Sequence, residues 1–224
     1  MTQSPTAATT LSDLKQLVRR VARLQTAPLV PELPLWLAGD AHAIWQDIDQ
    51  TAPVEAARRP YWAFAWPGGQ AKARYLLDNP DLVRSRRVVD IGTGSGIGAI
   101  AALRTGARSV VANDIDPLAL AAVALNAEAN GVEVELSGVD LLDRNDFEAD
   151  VVMIGDVFYE PELHTRMARF LDRLKSGRAT LLFADRGTTR LPMRPQACLA
   201  RYPTQVFPVL EDSHHEDGLL WRLA

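Results

Sequence analysis

The chain has 224 residues, 47 % hydrophobic and 23 % charged, with 24 basic against 28 acidic side chains for a formal net charge of −4. That length and balance allow one sizeable core, exclude wholesale disorder and argue against a generic nucleic-acid binder. A single cysteine, Cys198, excludes an intrachain disulfide or a thiolate metal cluster, and no apolar run approaches the ~20 residues that span a bilayer. A soluble intracellular globular protein is expected.

The first ten residues, MTQSPTAATT, read as a disordered tail. Leu11, Leu14, Leu17, Val18, Val21 and Leu24 then recur at helical spacing among Arg19, Arg20 and Arg23. An arginine-rich amphipathic start is compatible with an organelle transit peptide, but a short helix packing on the core is the simpler expectation. Pro28, Pro31 and Pro34 break that helix, and Trp36 and Trp45 suggest that the following stretch docks. Residues 11–59 are thus expected to form a helical extension, with Pro53 and Pro60 framing the entry to a main domain over 60–224. The 21 arginines against 3 lysines are read as the base composition of a GC-rich bacterial genome rather than as function.

In the main domain, short β-rich runs alternate with helical ones. Trp62, Phe64 and Trp66 alternate along an extended segment that turns through Pro67-Gly68-Gly69-Gln70 into a helix. Strands are expected at Arg86–Ile91, Ser109–Asp114, Val134–Asp140, Asp150–Val157 and Ala179–Ala184. Helices are expected at Ile97–Leu103, at Leu118–Asn130 closed by Gly131, and from Pro161, where Leu163, Met167, Phe170, Leu171 and Leu174 share a face. This order predicts an α/β fold, a doubly wound and mostly parallel sheet covered on both faces. The end differs: strands at Thr204–Leu210 and Gly218–Leu223 are joined only by the polar loop Glu211–Asp217, which forces an antiparallel hairpin. Pro208 puts the first of them at a sheet edge. Seven strands finishing in such a hairpin fit a Rossmann-like methyltransferase layout better than a dinucleotide dehydrogenase.

The run VVDIGTGSGIG, Val88–Gly98, follows a strand and opens a helix. Gly94, Gly96 and Ala99 satisfy G-x-G-x-x-A, which by itself also fits a dinucleotide site. Three acids favour S-adenosylmethionine. Asp90 precedes the first glycine, where a carboxylate suits an amino acid's ammonium, directly or through water, and repels a pyrophosphate. Asp114, in Asn113-Asp114-Ile115-Asp116-Pro117, ends the next strand beside the position of a ribose, and Asp140 ends the third, placed to accept from an adenine amino group.

With these motifs, the chain resembles the class I S-adenosylmethionine-dependent methyltransferases. It is most similar to the lysine methyltransferases of the electron transfer flavoprotein β-subunit. The resemblance runs from Pro60 to the C-terminus, with a weaker part at Pro31–Leu37. It is carried by PYWAFAWPGGQAKARYLLDNPDLV (Pro60–Val83), ANDIDP (Ala112–Pro117) and GDVFYEPEL (Gly155–Leu163). It implies S-adenosyl-L-methionine as cofactor, bound by Trp66, Gly68, Gln70, Asp90, Gly92, Thr93, Gly94, Gly96, Asn113, Asp114, Ile115, Asp140, Leu141 and Asp156. It further implies Asp156 and Tyr159 as the catalytic residues, the flavoprotein β-subunit as acceptor, and no nucleic acid or membrane partner. A monomer in the bacterial cytoplasm, or alternatively in the mitochondrial matrix, is the expected state.

Methyl transfer is an in-line displacement that gains mainly from positioning. A lysine acceptor must first lose its proton, and a carboxylate such as Asp156 beside it favours the charged form, so Asp156 is a better docking group than a base. Trp62 and Phe64 are expected to pack in the core, and Cys198 to be a small buried residue. His214, His215, Glu216 and Asp217 are read as a solvated loop without metal. Two other functions fit the same residues: methylation of another protein, such as a ribosomal protein, or of a small molecule, and a non-catalytic or nicotinamide-binding Rossmann domain.

Overall fold

A computed structural model describes residues 9–39, 44, 59–144, 147–155, 161–175, 177–186, 195–205 and 215–223. The chain opens with α1 (Leu11–Val21), begun by a capping box in which the Thr10 hydroxyl accepts from the Asp13 N–H while the Asp13 carboxylate accepts from Thr10. The Thr10 hydroxyl also donates to that carboxylate at 2.7 Å, and this bond, followed by the one from the Thr10 N–H, holds the Asp13 carboxyl below its ordinary pKa.

The helical expectation for 11–59 fails immediately after this helix. β1 (Arg23–Ala27) and β2 (Val30–Leu37) form an antiparallel hairpin in which Leu24 faces Trp36. The reason lies in β2. Val30, Leu33, Leu35 and Leu37 are buried, whereas Pro31 and Glu32 are exposed. That alternation outweighs the helical spacing of Leu24, which ends up exposed.

The core is one seven-stranded sheet in the order β5-β4-β3-β6-β7-β9-β8. Its strands are β3 (Arg87–Ile91), β4 (Ser109–Asn113), β5 (Glu135–Ser137), β6 (Val151–Ile154), β7 (Thr180–Asp185), β8 (Pro195–Gln205) and β9 (His215–Leu223). The first five are parallel; β9 runs antiparallel to β7 and β8 antiparallel to β9. The expected hairpin and edge position are both present, although β8 begins at Pro195 rather than Thr204. Pro208 lies outside the described residues. Cys198 is exposed on this edge strand, not buried, because the edge has no sheet neighbour beyond it.

The central strands read as unbroken apolar runs because both faces are covered, and all four residues of β6, Val-Val-Met-Ile, are buried. On one face, Val88, Val110, Met153, Leu182 and Leu220 pack with α2 (Pro67–Asp78), α3 (Ile97–Arg104) and the inner side of the β1–β2 hairpin. On the other, Val89, Ile91, Ile154 and Phe183 meet Met167, Phe170 and Leu171 of α5 (Pro161–Lys175). A third cluster joins α1 to α4 (Pro117–Asn130) around Trp62 and Phe64, which are core residues as expected. Trp62 lies in a 3-10 turn, Tyr61–Ala63, rather than in the expected extended segment, whereas Phe64 and Trp66 after it have extended backbone.

Side-chain amides stitch the hairpin to the sheet layers. Asn126 of α4, fully buried, accepts from the Trp36 N–H at 2.6 Å and donates to the Ser95 carbonyl at 2.7 Å. Asn130 donates to the Pro34 carbonyl at 2.7 Å. Replacing Asn126 by alanine orphans a backbone donor and a backbone acceptor, each costing on the order of 1–3 kcal/mol when buried. Urea unfolding of Asn126→Ala should therefore show a stability loss of about 2 kcal/mol or more. A midpoint unchanged from wild type would show that the hairpin is held by apolar contact alone.

Candidate functional site

The carboxyl edge of the parallel strands is where an open α/β sheet binds ligands, and here β3, β4, β5 and β6 deliver their loops to it. β3 ends at Asp90-Ile91, and the chain turns through Gly92 to Gly96 into α3. Gly94 and Gly96 have φ of 55° and 78°, a left-handed region that costs glycine nothing. At Gly96 a side chain is barred twice, since a Cβ would also lie 3.0 Å from a methyl of Val123. Thr93 is pinned by its N–H to the Asn113 carbonyl at 3.1 Å.

Asp114 follows β4 directly. Its carboxylate accepts from the Gly94 N–H and the Asp116 N–H, both at 3.0 Å, so it is fixed across the mouth of the glycine loop. Asp116 in turn caps α4 by accepting from Leu118 at 2.8 Å, with Pro117 at the first helical position. Beside it stand Ile115 and Val139, two of the four large apolar side chains left exposed among the described residues. They project from the ends of β4 and β5, and Leu141 lies buried nearby in a 3-10 turn.

Other expected site residues turn inward. The Asn113 amide donates to the carbonyls of Ser137 at 2.9 Å and Val139 at 2.7 Å, which clamps the ends of β4 and β5 together. The Gln70 amide, buried, donates to the Ala65 carbonyl at 2.7 Å and accepts from Leu29 at 3.3 Å. Trp66 is half-buried, its indole donating to the Tyr61 carbonyl at 2.8 Å, and it caps α2 ahead of the buried Gly68. Asp140 is exposed; one oxygen accepts from Leu142 at 3.1 Å and the other pairs with Arg166 of α5 at 2.9 Å. That bond, followed by one from Asp143, holds the Arg166 guanidinium above its ordinary pKa.

Asp90 departs furthest from the sequence reading. It is fully buried, and its carboxylate is taken by the Lys72 ammonium at 2.5 Å and the Thr93 hydroxyl at 2.8 Å. Lys72 was not singled out from the sequence. The available signal was that it is one of only three lysines in an arginine-dominated chain. Asp156, Phe158, Tyr159 and Glu160 lie outside the described residues, as does His214. Among the described residues no group of three or more His, Cys, Asp or Glu is placed to hold a metal ion.

The described residues fit S-adenosylmethionine at its nucleoside end. The Asp114 carboxylate, fixed across the glycine loop, offers acceptor oxygens of the kind a ribose's hydroxyls need, and Ile115 and Val139 present exposed apolar surface of the kind a flat base needs. At the amino-acid end the fit is indirect, because the Asp90 carboxylate is enclosed by protein donors.

Comparison with known proteins agrees with this geometry. Residues 75–158 match the family model of ribosomal protein L11 methyltransferase (PrmA). The electron transfer flavoprotein beta subunit lysine methyltransferase of Xenopus laevis is 39 % identical over 170 residues, which cover 75 % of this chain and 68 % of that one. Its human counterpart is also 39 % identical over 170 residues, and the match spans 62 % of the human chain. Among solved structures, SMU.776, complexed with SAH, superposes with a TM-score of 0.52 at 14 % identity, covering 72 % of this chain and 50 % of that one. At that identity the likeness establishes the fold alone, but the sequence match reaches further: the chain belongs to the electron transfer flavoprotein beta subunit lysine methyltransferase family.

Proposed function

We propose that the protein is an S-adenosylmethionine-dependent protein-lysine N-methyltransferase whose acceptor is the electron transfer flavoprotein beta subunit. The observation that carries the reading is the Asp114 carboxylate, held over the glycine loop by the Gly94 N–H with exposed Ile115 and Val139 beside it. When bound, S-adenosylmethionine supplies a methyl group activated on a sulfonium. Asp114 receives the ribose hydroxyls, the glycine loop lets the backbone approach, and Asp140 lies at the adenine edge. The C-terminal hairpin and α2 close the opposite side, with Gly218 packed so tightly on α2 that a Cβ there would lie 2.3 Å from the Pro67 carbonyl.

On the acceptor side, Asp156 docks the incoming lysine and Tyr159 lines its approach. The lysine, with a reference pKa of about 10.4, gives up its proton to water before it is aligned, since a neighbouring carboxylate holds it charged. We place the enzyme in the bacterial cytoplasm as a monomer, with the mitochondrial matrix as the alternative compartment. No helix among the described residues is long and apolar enough to cross a membrane.

Three outcomes test this reading. Asp114→Ala should weaken S-adenosylmethionine binding at least tenfold in calorimetry, because hydrogen bonds to a charged group are worth about 1.5–3 kcal/mol each. Unchanged affinity, or preferential binding of NADH by the wild type, would overturn the cofactor. Asp156→Ala and Tyr159→Phe should lower turnover strongly while leaving cofactor affinity within a few-fold, as expected for groups that act mainly in the transition state. Proportional loss of binding and activity would place them on the cofactor instead.

Intact-mass measurement of the flavoprotein beta subunit after incubation with enzyme and cofactor should show added methyl groups, mapped to lysines. Transfer should slow with salt, as steering of a lysine-rich surface toward an enzyme of net charge −4 is screened over about 8 Å at physiological ionic strength. Ribosomal protein L11 is the comparison acceptor, given the family model over 75–158. Methylation of L11 but not of the flavoprotein would move the acceptor to the ribosomal class.

A further inference from the structure

The Lys72–Asp90 pair joins α2 to the end of β3. Lys72 lies on α2 and is 2 % exposed; Asp90, at the end of β3, is 0 % exposed. Charges this deep are costly unless paired and hydrogen-bonded, and here both conditions are met. Space for the lysine is cut out of α3, and the end of β6 lies in contact range. A Cβ on Gly98 of α3 would lie 2.3 Å from Lys72 Cε and 3.0 Å from its Nζ. A Cβ on Gly155, the residue after β6 and the last one before the Asp156–Tyr159 motif, would lie 3.6 Å from Nζ. The ammonium therefore sits where β3, α3 and the end of β6 converge.

The bonds continue into the loop. Asp90 takes the Thr93 hydroxyl on its second oxygen, Thr93 donates its N–H to the Asn113 carbonyl, and its own carbonyl receives the Gly96 N–H at 2.9 Å. We infer that Lys72 is a positioning residue of the cofactor site, holding Asp90 and through it Thr93 so that the glycine loop keeps its ligand-binding shape. Asp90 thereby serves the loop rather than the ligand. An ammonium brought directly to that carboxylate would meet the positive charge of Lys72 already on it. This inference rests on the cofactor reading for its ligand, but the strut itself is a property of the ligand-free protein.

The test uses the full chain and two readouts. In Lys72→Met, calorimetry should show S-adenosylmethionine affinity reduced at least tenfold, with KM for the cofactor raised and kcat within threefold. In the same variant without ligand, amide hydrogen exchange at residues 92–96 should accelerate at least tenfold while α1 exchanges as in wild type. Gly98→Ala keeps both charges but pushes Lys72 off Asp90, and should reproduce both effects. Should Lys72→Met fold poorly, Lys72→Met/Asp90→Asn removes the buried unpaired charge; it should regain thermal stability without regaining affinity. Affinity within twofold of wild type in Lys72→Met or Gly98→Ala, with unaltered exchange at 92–96, would overturn the inference. So would full recovery of affinity in the double variant. A wild type that binds no S-adenosylmethionine would sink the cofactor reading, and the exchange comparison would still decide the strut.

Discussion

The turn from β3 into α3 constrains everything around it. Within five residues the chain must leave a buried strand, cross the carboxyl edge of the sheet and start a helix under the next layer. Left-handed glycines make the path sterically possible, but they do not fix it, since glycine is the residue with most freedom to lose. Fixing comes from side chains outside the loop. Asp114 holds the Gly94 N–H, Asn113 presents its carbonyl to Thr93, Asn126 takes the Ser95 carbonyl, and the Lys72–Asp90 pair anchors Thr93 from below. The anchors come from the end of β4, from α4 and from the α2–β3 pair, so the loop's shape depends on those elements being assembled around it.

That dependence explains features that look merely architectural. The β1–β2 hairpin lies outside the seven-stranded sheet, yet Trp36 shares Asn126 with the glycine loop, and Leu29 shares Gln70 with the segment that begins α2. Small residues crowd α3 because α2, α4, β3 and β4 all pack on it, and at Gly98 the Lys72 side chain comes closest. Ile115 and Val139, two of the four large apolar side chains left exposed among the described residues, stand just past the ends of β4 and β5.

Much of this was legible in the sequence, and the pattern of what was not is physical. Runs such as Val-Val-Met-Ile announce strands buried on both faces, and the few polar residues before Gly218 leave room only for a hairpin. The position of Asp114 is legible because it is set locally, one residue past a strand and beside a glycine loop. The β1–β2 hairpin was hidden because Leu24 continues a helical spacing that tertiary pairing overrides after Val21. Lys72 and Asp90 are 18 residues apart on different elements, so no spacing links them, and Asp90 taken alone looks like a ligand for an ammonium. The resemblance puts Gln70 and Asn113 at the cofactor, and in the structure packing turns both amides onto backbone carbonyls. Sequence marks which residues stand at the edge; only assembly decides which way each one faces.

The most direct test of this account is a crystal structure of the protein with S-adenosylhomocysteine bound. The account predicts ligand over Gly92–Gly96, ribose hydroxyls on Asp114, the base between Ile115 and Val139, and Lys72 still paired with Asp90. Ligand bound elsewhere, or the Asp90 carboxylate released from Lys72 to hold the ligand's ammonium, would contradict it.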